Sequence, residues 1–382
     1  AGGGGGPPRK ETPAGGTPRR ETPAEAPLHH PSDGPPPRAG EDIRTTCAYC
    51  GVGCGILATP TGERSVTIKG DPDHPANSGK LCSKGTHLGE TIGLEGRLLA
   101  PMIGQRRASW DKALDLVARR FRDTIAQHGP NSVAFYVSGQ LLTEDYYVAN
   151  KLMKGFIGSA NIDTNSRLCM ASAVAGHMRA FGEDIVPASY DDLDAADLIV
   201  LVGSNTAWCH PIVYQRIRAR CEAGAKLVVI DPRRTETADE ADLHLAIRPG
   251  TDVALMNGLL AWCRDAGVVD YDYLAAHVAT PDAFWEQIGE GSDLWSVARI
   301  CDVPPQDLRR FYELFAATPR TVTMFSQGVN QSLAGTDQVN AILNVHLATG
   351  RIGKPGAQPF SITGQPNAMG GREVGGLAST LA

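Results

Sequence analysis

The 382-residue sequence has no apolar run near the roughly 20 residues that a membrane-crossing helix needs. Stretches such as Leu198 to Val202 are only strand-sized, so no membrane partner is expected. It also lacks a surplus of positive charge: 36 Lys and Arg stand against 42 Asp and Glu, for a formal net charge of -6 and a pI near 5.9. That balance leaves no broad basic face for nucleic acid, although a small cationic funnel for an anion would vanish in the sum. No internal repeat is visible. Arg19 and Arg20 are followed by Glu21, Thr22 and Pro23 rather than an apolar stretch, so an export signal is not indicated. Nor is there an even set of cysteines. Nine is an odd number in a chain too long to need stapling, which fits a reducing cytoplasm better than a disulfide framework.

What is present suffices for an ordinary globular protein. With 42% hydrophobic and 20% charged residues, the chain can bury a substantial core and divide into two or three domains. Residues 1–40 are rich in Gly and Pro, a composition that cannot offset the entropy of folding, and are expected to be a disordered tail. Residues 41–100 are rich in Gly and Cys with short β-prone pieces such as Ser65 to Ile68, as expected of loops folded around a metal centre.

From residue 101 an α/β alternation begins. Apolar residues at helical spacing predict a helix over 111–128 capped by Ser109, then a strand over 133–137. A second helix is predicted over 144–156, with Thr143 as cap and Glu144 and Asp145 complementing its dipole. The clearest βαβ unit runs from a strand over 197–202, through Gly203-Ser204-Asn205 and a helix opened by Pro211, to a strand over 226–230 ending at Asp231. Further elements over 243–247, 253–263, 306–316, 321–326 and 337–348 predict a doubly wound α/β domain. The expected division is a 1–40 tail, a 41–100 iron-sulfur domain, a 101–185 first α/β segment, a 186–345 doubly wound domain and a 346–382 return segment. The Gly-rich stretch after Gly350 ends without a closing element and looks cut.

Cys47, Cys50, Cys54 and Cys82 carry the sharpest signal. Three cysteines lie in one tight loop, where Gly51, Gly53 and Gly55 let the chain fold back and point its amides at sulfur, while a remote fourth closes the site. The spacing suits a 4Fe-4S cluster. Zinc is the alternative, but zinc knuckles usually come as two Cys-x2-Cys pairs and Cys82 has no partner. Cys209, Cys221, Cys263 and Cys301 are expected to be small buried residues without assigned chemistry.

These cysteines, with Cys82-Ser83-Lys84-Gly85 after them, resemble the opening of the molybdopterin oxidoreductase family, and the resemblance runs from about residue 44 to the end. It implies that Lys84 lies between the cluster and a pterin. It implies that Cys169, in the segment NSRLCMASAV, is the protein ligand to molybdenum, a soft site suited to thiolate, with Met170 lining the pocket. The family's molybdenum is held by two molybdopterin guanine dinucleotides. The matching nucleotide loops are Gly203-Ser204-Asn205, then Asp231 with Arg233 and Thr235, and thirdly Gly250 with Asp252, at strand ends where ligands of doubly wound sheets collect. The resemblance also implies a C-terminal β-barrel domain in the family fold, which is expected to be missing from this sequence.

The closing segment GVNQSLAGTDQVNAILNVHLATGRIGKPG followed by SITGQPNAMGGREVGG is similar to the assimilatory nitrate-reducing branch of that family. Gln365 and Arg372 then fall at the active-site approach, and Arg372 offers a planar oxyanion a planar fork of donors; a structural ion pair with Glu373 or another acid is its other reading. The resemblance implies reduction of nitrate to nitrite, with electrons from ferredoxin, flavodoxin or an NADH-oxidising flavoprotein entering at the cluster. Formate dehydrogenase of the same family is the nearest alternative, weakened by Met170 where that branch commonly has His. A non-molybdenum iron-sulfur electron-transfer subunit is another, with no use for Cys169 or Arg372.

Overall fold

A computed structural model describes residues 40–377. The expected tail, save its last residue, lies outside them. The chain first folds into a small antiparallel sheet of β1 (Ile43–Thr46), β2 (Gly55–Gly62) and β3 (Ser65–Gly70). A one-turn helix α1 (Ser83–Thr86) follows. Helix α2 (Trp110–His128) starts at Ser109, whose hydroxyl accepts the Lys112 N–H at 3.3 Å.

Next come two parallel strands, β4 (Phe135–Val137) and β5 (Ile162–Thr164), joined by α3 (Thr143–Asn150). The predicted helix over 144–156 is not a uniform α-helix. It widens into a π turn over Lys151–Ile157 and stops at Gly158. Thr143 is not its cap: Leu142 holds that place, its N–H donating to Asp145 at 3.2 Å, and the Thr143 hydroxyl accepts from Asn367 instead. Helix α4 (Ser166–Phe181) leaves the end of β5.

The central element is a five-stranded parallel sheet of β6 (Leu198–Val202), β7 (Lys226–Ile230), β8 (Leu243–Leu245), β9 (Thr321–Phe325) and β10 (Pro359–Ser361). Its spatial order is β8-β7-β6-β9-β10, so the winding reverses between β6 and β9. Crossovers include α5 (Pro211–Glu222), α6 (Asp252–Asp265), α7 (Pro305–Ala317) and α8 (Gly335–Ala348). A short helix, α9 (Ala368–Glu373), follows β10.

The sequence of β6 explains its place. All five residues, LIVLV, are fully buried, which only a central strand covered on both faces requires. Leu198, Val200 and Val202 join one core with residues of α6, α7 and α8. Ile199 and Leu201 join a second core, with Ile212 and Ile217 of α5 and with Cys47, Val52 and Cys54. The alternating side chains of one strand thus bind the cysteine loop to one face of the sheet. At roughly 1.5 to 3 kcal/mol per buried aliphatic side chain, this strand is a large contributor to the fold.

Register decides what the sheet presents. Val202 pairs with Ile230 and with Phe325, and Phe325 with Ser361, so the carboxyl ends of these strands finish level along one edge. In the smaller sheet Val137 pairs with Thr164, so β4 and β5 end level too.

Candidate active site

The loop between β1 and β2 carries Cys47, Cys50 and Cys54, and the Cys47 N–H closes it by donating to the Cys54 carbonyl at 2.9 Å. Amides of Tyr49 and Val52 point at the sulfurs of Cys47 and Cys50. Cys82 immediately precedes α1. Its segment is fastened by buried Asn77, whose amide bridges the Gly55 N–H and carbonyl and the Lys80 carbonyl at 2.8 to 3.0 Å. Cys47, Cys50 and Cys54 each feel the charge of neighbouring sulfurs, that of Cys82 among them. Burial pushes the thiols of Cys47 and Cys50 up, and burial followed by the neighbouring sulfurs pushes Cys54 up to about 12.

Burial makes the thiolates of Cys47, Cys50 and Cys54 costly on their own, and bound iron would supply the compensating charge. Among the described residues no group of three or more His, Cys, Asp or Glu converges on a single-ion site, as zinc would require. A cuboidal cluster holds its cysteines further apart, at its corners, and the donor set fits that group.

Behind the loop the chain runs directly toward Cys169. The Gly51 N–H donates to the Gly364 carbonyl at 3.1 Å, and a Cβ on Gly51 would lie 2.1 Å from the Thr363 oxygen. Gly364 packs against the side chain of Gln327, whose Nε2 donates to Cys169 Sγ at 3.0 Å. Asn330 Nδ2 donates to Met170 Sδ at 3.1 Å. Lys84 sits exposed on α1 with its charge felt by Cys47, Cys50 and His210. His210 is buried, its Nε2 donating to the Thr363 carbonyl at 2.7 Å, and its pKa is lowered by burial with Lys84 adding to the effect.

A cavity of about 210 Å³ opens beside α4 and α9, lined by Met170, His177, Asp184, Met369 and Arg372 among others. Arg372 pairs with Asp184, not with Glu373. Its guanidinium is one-fifth exposed and remains on the cavity wall.

The residues of the three loops expected to bind nucleotide gather at the carboxyl edge of β6, β7 and β8. Gly203 (φ 55°) crosses Gly328 so closely that a Cβ would lie 2.6 Å from the Gly328 Cα, at the point where the winding reverses. Ser204 is buried against the Thr206 hydroxyl, and Asn205 accepts from Thr237 at 2.8 Å. Asp231 accepts the Arg233 N–H at 2.9 Å, and the Arg233 side chain is exposed. Gly250 (φ 84°) turns the third loop. Asp252 accepts from Gln338 at 3.0 Å, and its pKa is raised by burial and by nearby Asp231. Gln365 lies apart from these, against Gly139 at the end of β4.

Buried side-chain oxygens of Ser166, Thr235, Ser361, Thr363 and Gln365 have no hydrogen-bond partner among the described residues. All lie just beyond strand ends or on the last residue of β10, and polar atoms of this kind fit a large, polar, pterin-nucleotide ligand. Gln327, Asn330, His177, Asp184 and Asn77 carry no spacing signature in the sequence; for Gln327 the one signal is its place just past a predicted strand. Cys263 and Cys301 are buried as expected and Cys221 is half-buried. Cys209 is exposed, because it ends a short helix, Thr206–Cys209, at the sheet's open edge.

Residues 97–381 match the family described as molybdopterin oxidoreductase, and residues 41–93 match the molybdopterin oxidoreductase Fe4S4 domain. Similar proteins include a nitrate reductase of Klebsiella oxytoca, 55% identical over 343 residues (89% of this chain, 39% of that protein). A nitrate reductase of Shewanella frigidimarina is 52% identical over 350 residues (89% and 37%), and a periplasmic nitrate reductase of Desulfovibrio desulfuricans 41% over 359 residues (89% and 47%). The chain spans less than half the length of each. Among solved structures, acetylene hydratase from Pelobacter acetylenicus superposes with a TM-score of 0.72 at 23% identity, over 83% of this chain and 44% of that one, a likeness of fold. The chain belongs to the molybdopterin oxidoreductase family.

Proposed function

We propose that this molybdopterin oxidoreductase chain is part of a nitrate reductase, taking up nitrate at Arg372 beside a molybdenum held by Cys169. The observation that carries the reading is the cavity whose wall contains both Arg372 and Met170, the neighbour of Cys169, in a chain whose similar proteins include nitrate reductases. Molybdenum bound as bis(molybdopterin guanine dinucleotide) supplies oxygen-atom transfer, by which nitrate, two electrons and two protons give nitrite and water.

The chain's own residues divide the remaining work. Cys47, Cys50, Cys54 and Cys82 hold the 4Fe-4S cluster that receives electrons, and Lys84 places a positive charge beside it. Gln327 orients the Cys169 sulfur by donating to it. Gly203, Ser204, Asn205, Asp231, Arg233, Thr235, Gly250 and Asp252 hold the nucleotide arms, and Gln365 a pterin edge. Arg372 offers a fixed, always-charged fork to a flat monoanion.

The setting proposed is nitrate assimilation in the cytoplasm, with ferredoxin, flavodoxin or an NADH-oxidising flavoprotein as donor. None of the nine cysteines is in a disulfide, in keeping with a reducing compartment. The periplasm is the competing location, favoured by the Desulfovibrio relative; among the described residues no helix is long and apolar enough to cross a membrane. Cell fractionation decides between them.

The test is turnover by the full-length enzyme with a chemical electron donor, nitrate against formate. Cys169→Ala should abolish nitrate reduction while the brown colour of the cluster persists. Arg372→Ala should raise the KM for nitrate about 10- to 100-fold, the cost of one or two charge-assisted hydrogen bonds. Formate oxidation without nitrate reduction would overturn the reading, as would iron without molybdenum.

A further inference from the structure

We infer that His177 is a positioning residue for anion recognition, acting on Arg372 through Asp184; the inference rests on the reading of Arg372 as the partner of nitrate. His177 lies two turns beyond Cys169 on α4, so the helix that carries the metal ligand also reaches the cavity wall. It is 1% exposed. Its Nδ1 lies 3.3 Å from Asp184 Oδ1, while Asp184 Oδ2 takes the Arg372 guanidinium through Nη1.

A carboxylate oxygen accepts hydrogen bonds, so Nδ1 is the donor in this contact. Nε2 is buried and has no partner among the described residues. The ring is held between Phe181, stacked at 6.1 Å between centroids, and Phe325 at 6.5 Å, which restricts its rotation.

The consequence concerns how a carboxylate engages a guanidinium. Left alone, Asp184 would turn both oxygens onto Arg372 in the bidentate fork that such pairs favour, consuming the donors a planar oxyanion needs. His177 claims one oxygen. Asp184 then steadies Arg372 through Oδ2, with Nη1 in contact, and the N–H groups it does not engage are offered to the substrate. The pair is therefore built to bind a weakly basic, planar monoanion without giving up the carboxylate that positions the arginine.

The test uses full-length enzyme and nitrate, with KM and kcat measured separately and iron and molybdenum content read on every variant. His177→Ala should raise the KM for nitrate about tenfold, the worth of one hydrogen bond to a charged group, with kcat within about twofold of wild type. His177→Asn, whose Nδ2 places a donor near the position of Nδ1, should restore most of the KM. Should the Ala variant not fold, His177→Leu fills the space between Phe181 and Phe325 and carries the same expectation. An unchanged KM in the variant lacking the donor, an equal rise in His177→Asn, or a loss confined to kcat overturns the role. Arg372→Ala measured alongside separates the two claims: if it too leaves the KM unchanged, the reading of Arg372 falls and takes this role with it. A raised KM there with an unaffected His177 series removes only the positioning role.

Discussion

His346 shows what burial does to one residue. It lies fully buried on α8 with Nε2 2.8 Å from the Thr323 hydroxyl of β9, and burial, with Arg351 nearby, pushes its pKa down to about 3. In the unfolded chain the imidazole protonates near its ordinary value of about 6.5. Acid therefore favours the unfolded chain: the stability this group contributes is full above about pH 6.5 and is lost as pH falls from there toward about 3. His346→Gln, which keeps a polar group near Thr323, should flatten the dependence of the unfolding midpoint on pH between about 6.5 and 4.5, by up to about 1.4 kcal/mol per pH unit. An unaltered slope in thermal melts would show that the acid sensitivity arises elsewhere.

Residues of this kind were differently legible. Cys47, Cys50 and Cys54 announce themselves, because cysteines on one short loop keep a readable spacing, and Cys82 is marked by the Ser83-Lys84-Gly85 that follows it. Gln327 and Asn330 do not. They meet Cys169 and Met170 from 158 and 160 positions away, a distance at which side-chain chemistry leaves no local pattern.

At the scale of elements, the tight crossing of Gly203 and Gly328 is the feature most open to attack. Gly203→Ala meets two obstacles, a φ of 55° and a Cβ 2.6 Å from backbone. Gly267, at φ 70° with nothing within 4 Å, presents only the first. Gly267→Ala should cost about 1 kcal/mol and Gly203→Ala about 3 kcal/mol or more, read as denaturant midpoints at a common slope. Equal costs would mean that the crossing relaxes freely.

The strands and crossover helices were readable because β6 and β7 are apolar throughout and bounded by turns. The π turn over Lys151–Ile157 and the passing of the cap from Thr143 to Leu142 were not. The first ends in tertiary contact, with Lys154 donating to the carbonyls of Gly375 and Leu377. The second follows from Asn367 claiming the Thr143 hydroxyl.

At the scale of the whole molecule, the cysteine loop and one face of the parallel sheet share a core, since Cys47, Val52 and Cys54 pack with Ile199, Leu201 and Met324. Removing iron should therefore loosen that face selectively. In the full-length protein, chelation or Cys54→Ser should raise amide hydrogen exchange over residues 47–90 and in α5, while α6 and α8 on the opposite face keep their protection. Uniform loss of protection, or none, would contradict this division of the core.

The four-cysteine set, the βαβ alternation and the strand ends carrying Gly203, Asp231 and Gly250 were determined by the sequence alone, because covalent spacing and residue periodicity act over a few positions. The tertiary structure alone decided that the cluster loop reaches Cys169 by way of Gly364 and Gln327, and that Arg372 answers to Asp184 and His177. Those contacts depend on β6, β9 and β10 ending level in one sheet, a matter of long-range register that no local pattern encodes.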